Sequence, residues 1–143
     1  MKLTEAQNTE IEETLHNYSM AYQKKDIKAL LALFSYETSG FGSGLDEVVL
    51  GRKDFTRQMK RDLSQVTSVS LEFPCLKIFG EDRLAWVTSG CNFVFTVGGK
   101  KKQTMSGRMT MVLRNTGSRW VIEQIHFSMP YIEQSPGQSF PGA

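Results

Sequence analysis

A chain of 143 residues, 40% hydrophobic and 22% charged, has the composition of one globular domain with a core of its own. Its net charge of +2 gives no basis for binding nucleic acid or an anionic membrane surface, and its two cysteines, without CxxC spacing, make no disulfide framework. The opening MKLTEAQNTEIEETL is too charged for a signal peptide and no apolar run reaches membrane-spanning length, so a soluble cytoplasmic protein with reduced thiols is expected.

Helices come first. Thr4 and Gln7 form a capping box, and Ile11, Leu15, Tyr18 and Tyr22 then recur at helical spacing as one buried stripe. Lys24-Lys25 close this helix, and Asp26 caps a short second one through IKALLALF. A Gly-rich strand and turn region, YETSGFGSGLDEVVLG, leads to a third helix from Arg52 to about Gln65, with Phe55, Met59 and Leu63 on its apolar face. From Ser68 the period changes to that of strands. SVSLEFPCLKIF, RLAWVTSGCNFVFTV, KQTMSGRMTMVLR and SRWVIEQIHFSM predict four long strands, with turns at Gly80–Asp82, Gly98-Gly99 and Thr116-Gly117. Pro74 marks an edge position or a bulge, and Lys100–Lys102 read as solvated lysines at a hairpin tip. One domain over residues 1–130 is expected, with 131–143, rich in Pro, Gly and Ser, as a flexible tail. Helices followed by an antiparallel meander give an α+β class.

Five segments in order, YSMAYQKKDIKALLALFS, GFGSGLDEVVLGRKDF, LAWVTSG, GRMTMVLR and WVIEQIHFS, resemble the SnoaL-like branch of the NTF2-like (cystatin-like, ketosteroid-isomerase-like) superfamily. The likeness runs from about Ile11 to Pro130 and is nearest to a subgroup ending in a His-Phe-Ser strand, here His126-Phe127-Ser128. The calcium/calmodulin-dependent kinase association domain has a similar ending. The resemblance implies N-terminal helices packed on a curved, mostly antiparallel sheet, a cone with a pocket at one end, and a homodimer through the other face of the sheet. It leaves function open, because the superfamily includes lyases, isomerases, cyclases and non-catalytic association modules.

Treating Thr116-Gly117 and Gly98-Gly99 as two-residue turns sorts the strand residues into faces. One face then collects Trp86, Thr88, Asn92, Met109, Met111, Trp120, Ile122, Gln124 and His126, a mostly apolar pocket wall with a few polar groups. Trp86, Met109, Met111, Gln124 and His126 are the expected ligand contacts, with Tyr22 added from the helix side. Phe93, Phe95, Arg108 and Ile125 fall on the other face, as a dimer interface. An odd turn or a bulge would put Arg108 in the pocket instead, where it can bind a carboxylate.

His126 is the expected acid–base residue for a lyase, isomerase or cyclase step; the bland alternative is a histidine satisfied internally. Tyr18 and Tyr22 are core rings by default, with one hydroxyl able to reach the pocket. The Asp base of an isomerase-like chain would fall near Phe41-Gly42-Ser43, where no acid stands. Asp46 and Glu47 are neighbours that point apart and read as turn and cap residues. GFGSG lacks the features of a phosphate loop, and Glu12 with His16 makes only half a metal site, so neither metal nor cofactor is expected. Ser128 is too far along the strand from His126 for direct activation. The function expected is binding of a small organic molecule, with a carboxylate as one candidate. The alternative is a non-catalytic dimeric association module.

Overall fold

The computed structural model describes residues 2–143. Helix α1 spans Glu5–Gln23, and its capping box is formed at both ends: the Thr4 hydroxyl accepts from the Gln7 amide at 3.1 Å, and the Thr4 amide donates to the Gln7 side chain at 2.9 Å. Ile11, Leu15, Tyr18 and Tyr22 are all buried along one stripe. Helix α2 (Ile27–Ala32) begins at Asp26, whose carboxylate accepts from the Ala29 amide at 3.0 Å. It ends earlier than its apolar run suggests, because Phe34 opens strand β1 (Phe34–Phe41). Strand β2 (Val48–Leu50) and helix α3 (Arg52–Ser64) follow, with Phe55, Met59 and Leu63 buried.

Five strands stand where four were expected. Ser68–Phe79 is split into β3 (Ser68–Glu72) and β4 (Lys77–Glu81), with β5 (Leu84–Thr96), β6 (Gln103–Asn115) and β7 (Trp120–Ser128) behind them. Pro74 is the cause: it offers no amide to a ladder, and Cys75 beside it has φ of 58°. β3 and β4 therefore pair with different stretches of β5. The Gly90 amide donates to the Pro74 carbonyl at 2.9 Å, and a Cβ on Gly90 would meet the proline ring at 2.8 Å, so glycine is what lets the crossing segment lie so close.

The seven strands form one sheet, ordered β2-β1-β7-β6-β5-β3 with β4 also on β5. All pairs are antiparallel except β1 with β7. The helices cover the concave face. Ser19 ties α1 to β3 by donating to the Leu71 carbonyl at 2.8 Å, and the Trp120 indole donates to Glu10 at 3.0 Å. Residues 129–143 contain no helix or strand, and no helix among the described residues is long and apolar enough to cross a membrane.

The register corrects the expected faces at two places. Phe95 pairs with Gln103, so the β5–β6 loop has odd length, and Trp86 lies opposite Val112 rather than Met111. That one-residue offset turns every β5 side chain to the other face. In the β6–β7 hairpin, Leu113 pairs with Ile122 but Val112 pairs with Gln124, so Glu123 is an extra residue, a bulge. Glu123 is held on the convex side, accepting from Arg114 and Ser35, each at 2.7 Å. Before the bulge Trp120 and Ile122 face inward; after it Ile125 and Phe127 do, and Gln124 and His126 face out.

Candidate functional site

Between the helices and the concave sheet lies a cavity of about 540 Å³, within the range that takes a small organic molecule. Its wall is built by inward residues of β5, β6 and β7 (Phe93, Phe95, Met105, Met109, Ile125 and Phe127), faced by Tyr18 and Tyr22 of α1 and Phe55 and Met59 of α3. The rings interlock edge to face: Tyr22 with Phe93 at 5.6 Å and Phe93 with Phe127 at 4.9 Å between centroids. The rim is the turn after β1, where Gly42, Ser43 and Glu47 reach the cavity.

One acid projects into this apolar space from α3. Asp62 lies seven residues beyond Phe55 and three beyond Met59, on the helix's inward stripe. Gln58, one turn earlier, donates to its carboxylate at 2.6 Å. Burial raises the Asp62 pKa to about 6; the Gln58 hydrogen bond opposes that, and the charge of Glu47 adds to it. The Tyr22 hydroxyl faces the same carboxyl, and burial followed by that negative charge pushes its own pKa well up, so it remains a proton donor. Cys91, deeper in the wall, is pushed up to about 12 by burial and is an inert thiol.

Glu47 and Asp46 are drawn to one cation. Arg61 donates to Asp46 at 2.7 Å and to Glu47 at 3.3 Å, and the Gly44 amide donates to Glu47 at 2.7 Å. These contacts pin the rim turn against α3. Arg61 also holds the Asp46 carboxyl below its usual range. Only Glu47 of the two acids lines the cavity, and the stretch Phe41-Gly42-Ser43 supplies no acid there; α3 does so instead.

Of the expected pocket contacts, Tyr22 and Met109 line the cavity, and Met111 is buried in the same concave layer without reaching it. Trp86, Gln124 and His126 lie on the convex face, for the register reasons given above. His126 stands beside Phe41, ring centroids 5.5 Å apart, and with Thr88, Arg108, Thr110 and Ser128 borders a separate shallow groove on that face. Of the residues expected at a dimer interface, Phe93, Phe95 and Ile125 line the cavity, and only Arg108 is on the convex side. Asp62 and Gln58 went unread in the sequence. Their signal is a polar i, i+4 pair inside an apolar helical stripe, a feature that charged helices also show on their solvated sides.

An α+β cone with a half-open, largely apolar cavity lined by a few polar groups defines a class: the SnoaL-like and NTF2-like folds. The chain belongs to the SnoaL-like domain family, whose sequence profile matches residues 11–132. A Streptomyces avermitilis protein, provisionally named a dehydratase of the NTF2-like family, is similar with a TM-score of 0.83 at 14% identity, over 90% of this chain and 99% of that one. An NTF2-like protein of unknown function from Pseudomonas putida has a TM-score of 0.81 at 19% identity, over 96% of both chains. A Xanthomonas campestris protein, provisionally named a calcium/calmodulin-dependent protein kinase II association domain, has 0.78 at 16%, over 90% and 89%. At such identities the likeness carries the fold alone. Among curated proteins none matches the chain.

Proposed function

We propose that this is a cytoplasmic small-molecule-binding protein that holds an organic ligand inside the cone, with Asp62, Gln58 and Tyr22 as its polar anchor. The observation that carries this reading is the Asp62 carboxyl, titrating near pH 6, in a half-open cavity lined by aromatic and methionine side chains. A proton transfer of the kind a lyase, isomerase or cyclase step needs falls to Asp62 rather than His126, because Asp62 lines the cavity and His126 does not. The other groups complement it. Tyr22 stays protonated and donates, while Gln58 holds one carboxylate oxygen and leaves the headgroup fixed for a ligand.

A thermal-shift series with 2-naphthol tests the reading. The probe is expected to raise the melting temperature of wild type and of His126→Ala equally, since binding to the folded state stabilises it by about 2.7 kcal/mol at a hundredfold excess over Kd. Met105→Trp, at a position that lines the cavity and not the convex groove, is expected to abolish the shift. Loss in His126→Ala with retention in Met105→Trp would move the ligand to the convex groove and overturn the proposal.

Assembly as a homodimer is the second part of the proposal, and the convex face is its surface. Phe79 and Trp86 stack there with centroids 6.4 Å apart while remaining 48% and 47% exposed. Sedimentation should find a dimer in wild type, a monomer in Trp86→Glu, and an unchanged dimer in Phe95→Ala. A monomeric wild type removes this reading.

A further inference from the structure

The charge pattern inside the cavity says more about the ligand than its shape does. Its lining contains two carboxyls, Asp62 and Glu47, and two amides, Gln58 and Gln65, but no lysine, arginine or histidine. The Arg61 guanidinium is turned to the rim and committed to Asp46 and Glu47. Glu47 thus has a cation against it, while Asp62 has the neutral Gln58 and Tyr22 as its hydrogen-bonding neighbours and feels the charges of Glu47 and Arg61 without a contact to either. The same cavity is lined by the rings of Tyr18, Tyr22, Phe55, Phe93 and Phe127.

An anion entering this space would meet a like charge, and the cations beside the wall are already committed, Arg61 to Asp46 and Glu47 and Lys25 to the Val66 carbonyl. A protonated amine would meet the opposite arrangement: a partly desolvated carboxylate for its charge, and aromatic rings whose negative faces attract it further. Three methionines, Met59, Met105 and Met109, leave the apolar remainder of the wall adaptable to the body of such a molecule. We infer that the cavity selects an amine-bearing aromatic or alicyclic molecule, its ammonium group paired with Asp62, and rejects carboxylates of the same size. This rests on the reading of the cavity as a ligand site. It departs from the candidate carboxylate ligand, which rested on Arg108 entering the pocket, whereas Arg108 lies on the convex side. For such a ligand Asp62 is a counter-ion, and the domain acts as a binding module.

The inference carries a signature that affinity alone does not. An ammonium against Asp62 favours its ionised form, so binding releases protons at pH 6.5; an uncharged ligand excludes water from the carboxyl, favours its neutral form, and takes protons up. The experiment is titration calorimetry at pH 6.5, in buffers of different ionisation enthalpy, with three probes of one body: 2-(1-naphthyl)ethylamine, 2-(1-naphthyl)ethanol and 1-naphthylacetate. The amine is expected to bind wild type about tenfold tighter than the alcohol, with proton release, and the acetate most weakly. In Asp62→Asn, which keeps an acceptor for Gln58, the amine should fall to the level of the alcohol and its proton release should vanish. Alcohol binding by this variant shows that its cavity is intact.

Acetate binding as tight as the amine, or an amine advantage that survives in Asp62→Asn, overturns the inference. If the alcohol binds and the amine does no better, the inference fails while the ligand site stands. If none of the three binds, the ligand site fails and the inference with it.

Discussion

Asp62→Asn is expected to raise the melting temperature at pH 8 by about 4–8 °C, and the gain should shrink towards zero below about pH 4. The reason is the sign of the shift. Asp62 titrates at about 6 in the folded protein against 3.8 for the ordinary side chain, so the folded state binds its proton more tightly than the unfolded chain does. Below the unfolded value both states hold the proton and there is no penalty. As pH rises through 4 to 6 the unfolded chain ionises first, and stability falls; above 6 the loss levels off. Two pKa units correspond to about 3 kcal/mol, and allowing for the partial exposure of the carboxyl leaves about 2 kcal/mol. Asparagine keeps the acceptor for Gln58 and removes the charge. Melting curves of the two proteins from pH 3.5 to 8 check this. A variant less stable than wild type at pH 8 would mean that Tyr22 and Gln58 stabilise the ionised carboxyl by more than burial costs it.

Gly40→Ala should destabilise the fold by about 3 kcal/mol or more and remove ligand binding with it. Gly40 pairs with Ile125 where β1 runs parallel to β7, and a Cβ there would stand 1.7 Å from the Ile125 carbonyl oxygen. That atom is backbone, so relief requires the strands to part, and both residues line the cavity. Gly99→Ala is the control: nothing lies within 4 Å of the added carbon, and its effect should stay within about 0.5 kcal/mol. Urea unfolding of the two variants measures the contrast. Equal midpoints would show that β1 tolerates displacement from β7.

The two effects sit on the wall of one cavity and concern different physics. At Asp62 the backbone is indifferent and the charge decides; at Gly40 charge is irrelevant and the approach of two strands decides. That difference governs what a reader of the chain can recover. The helix caps at Thr4 and Asp26, the buried stripe from Ile11 to Tyr22, the α3 face and the strand periods are local patterns, and each is repeated in the structure. Pro74 carried the warning that its segment does not run unbroken, and the chain splits there into β3 and β4. The order of the five family segments was legible as well.

The site was legible only in part, because inward and outward are not local properties in a sheet. Tyr22 and Met109 sit on elements whose facing is set by a long apolar repeat, and they line the cavity. Trp86, Gln124 and His126 depend on parity, and parity changes with one residue in a loop or one bulge. The β5–β6 loop and Glu123 supply one such change each. His126 therefore looks outward although every alternation within its own strand was read correctly up to Ile122.

By itself, then, the sequence determined the class of fold, the succession of elements and the composition of the core, since these follow from short-range periodicity, capping and the burial of apolar side chains. Tertiary structure alone decided which face of each strand lines the cavity and which acid meets a ligand there. A strand's facing is set by its pairing with strands distant in the chain, and the proton affinity of Asp62 is set by the water that α1, α3 and the sheet together exclude from it.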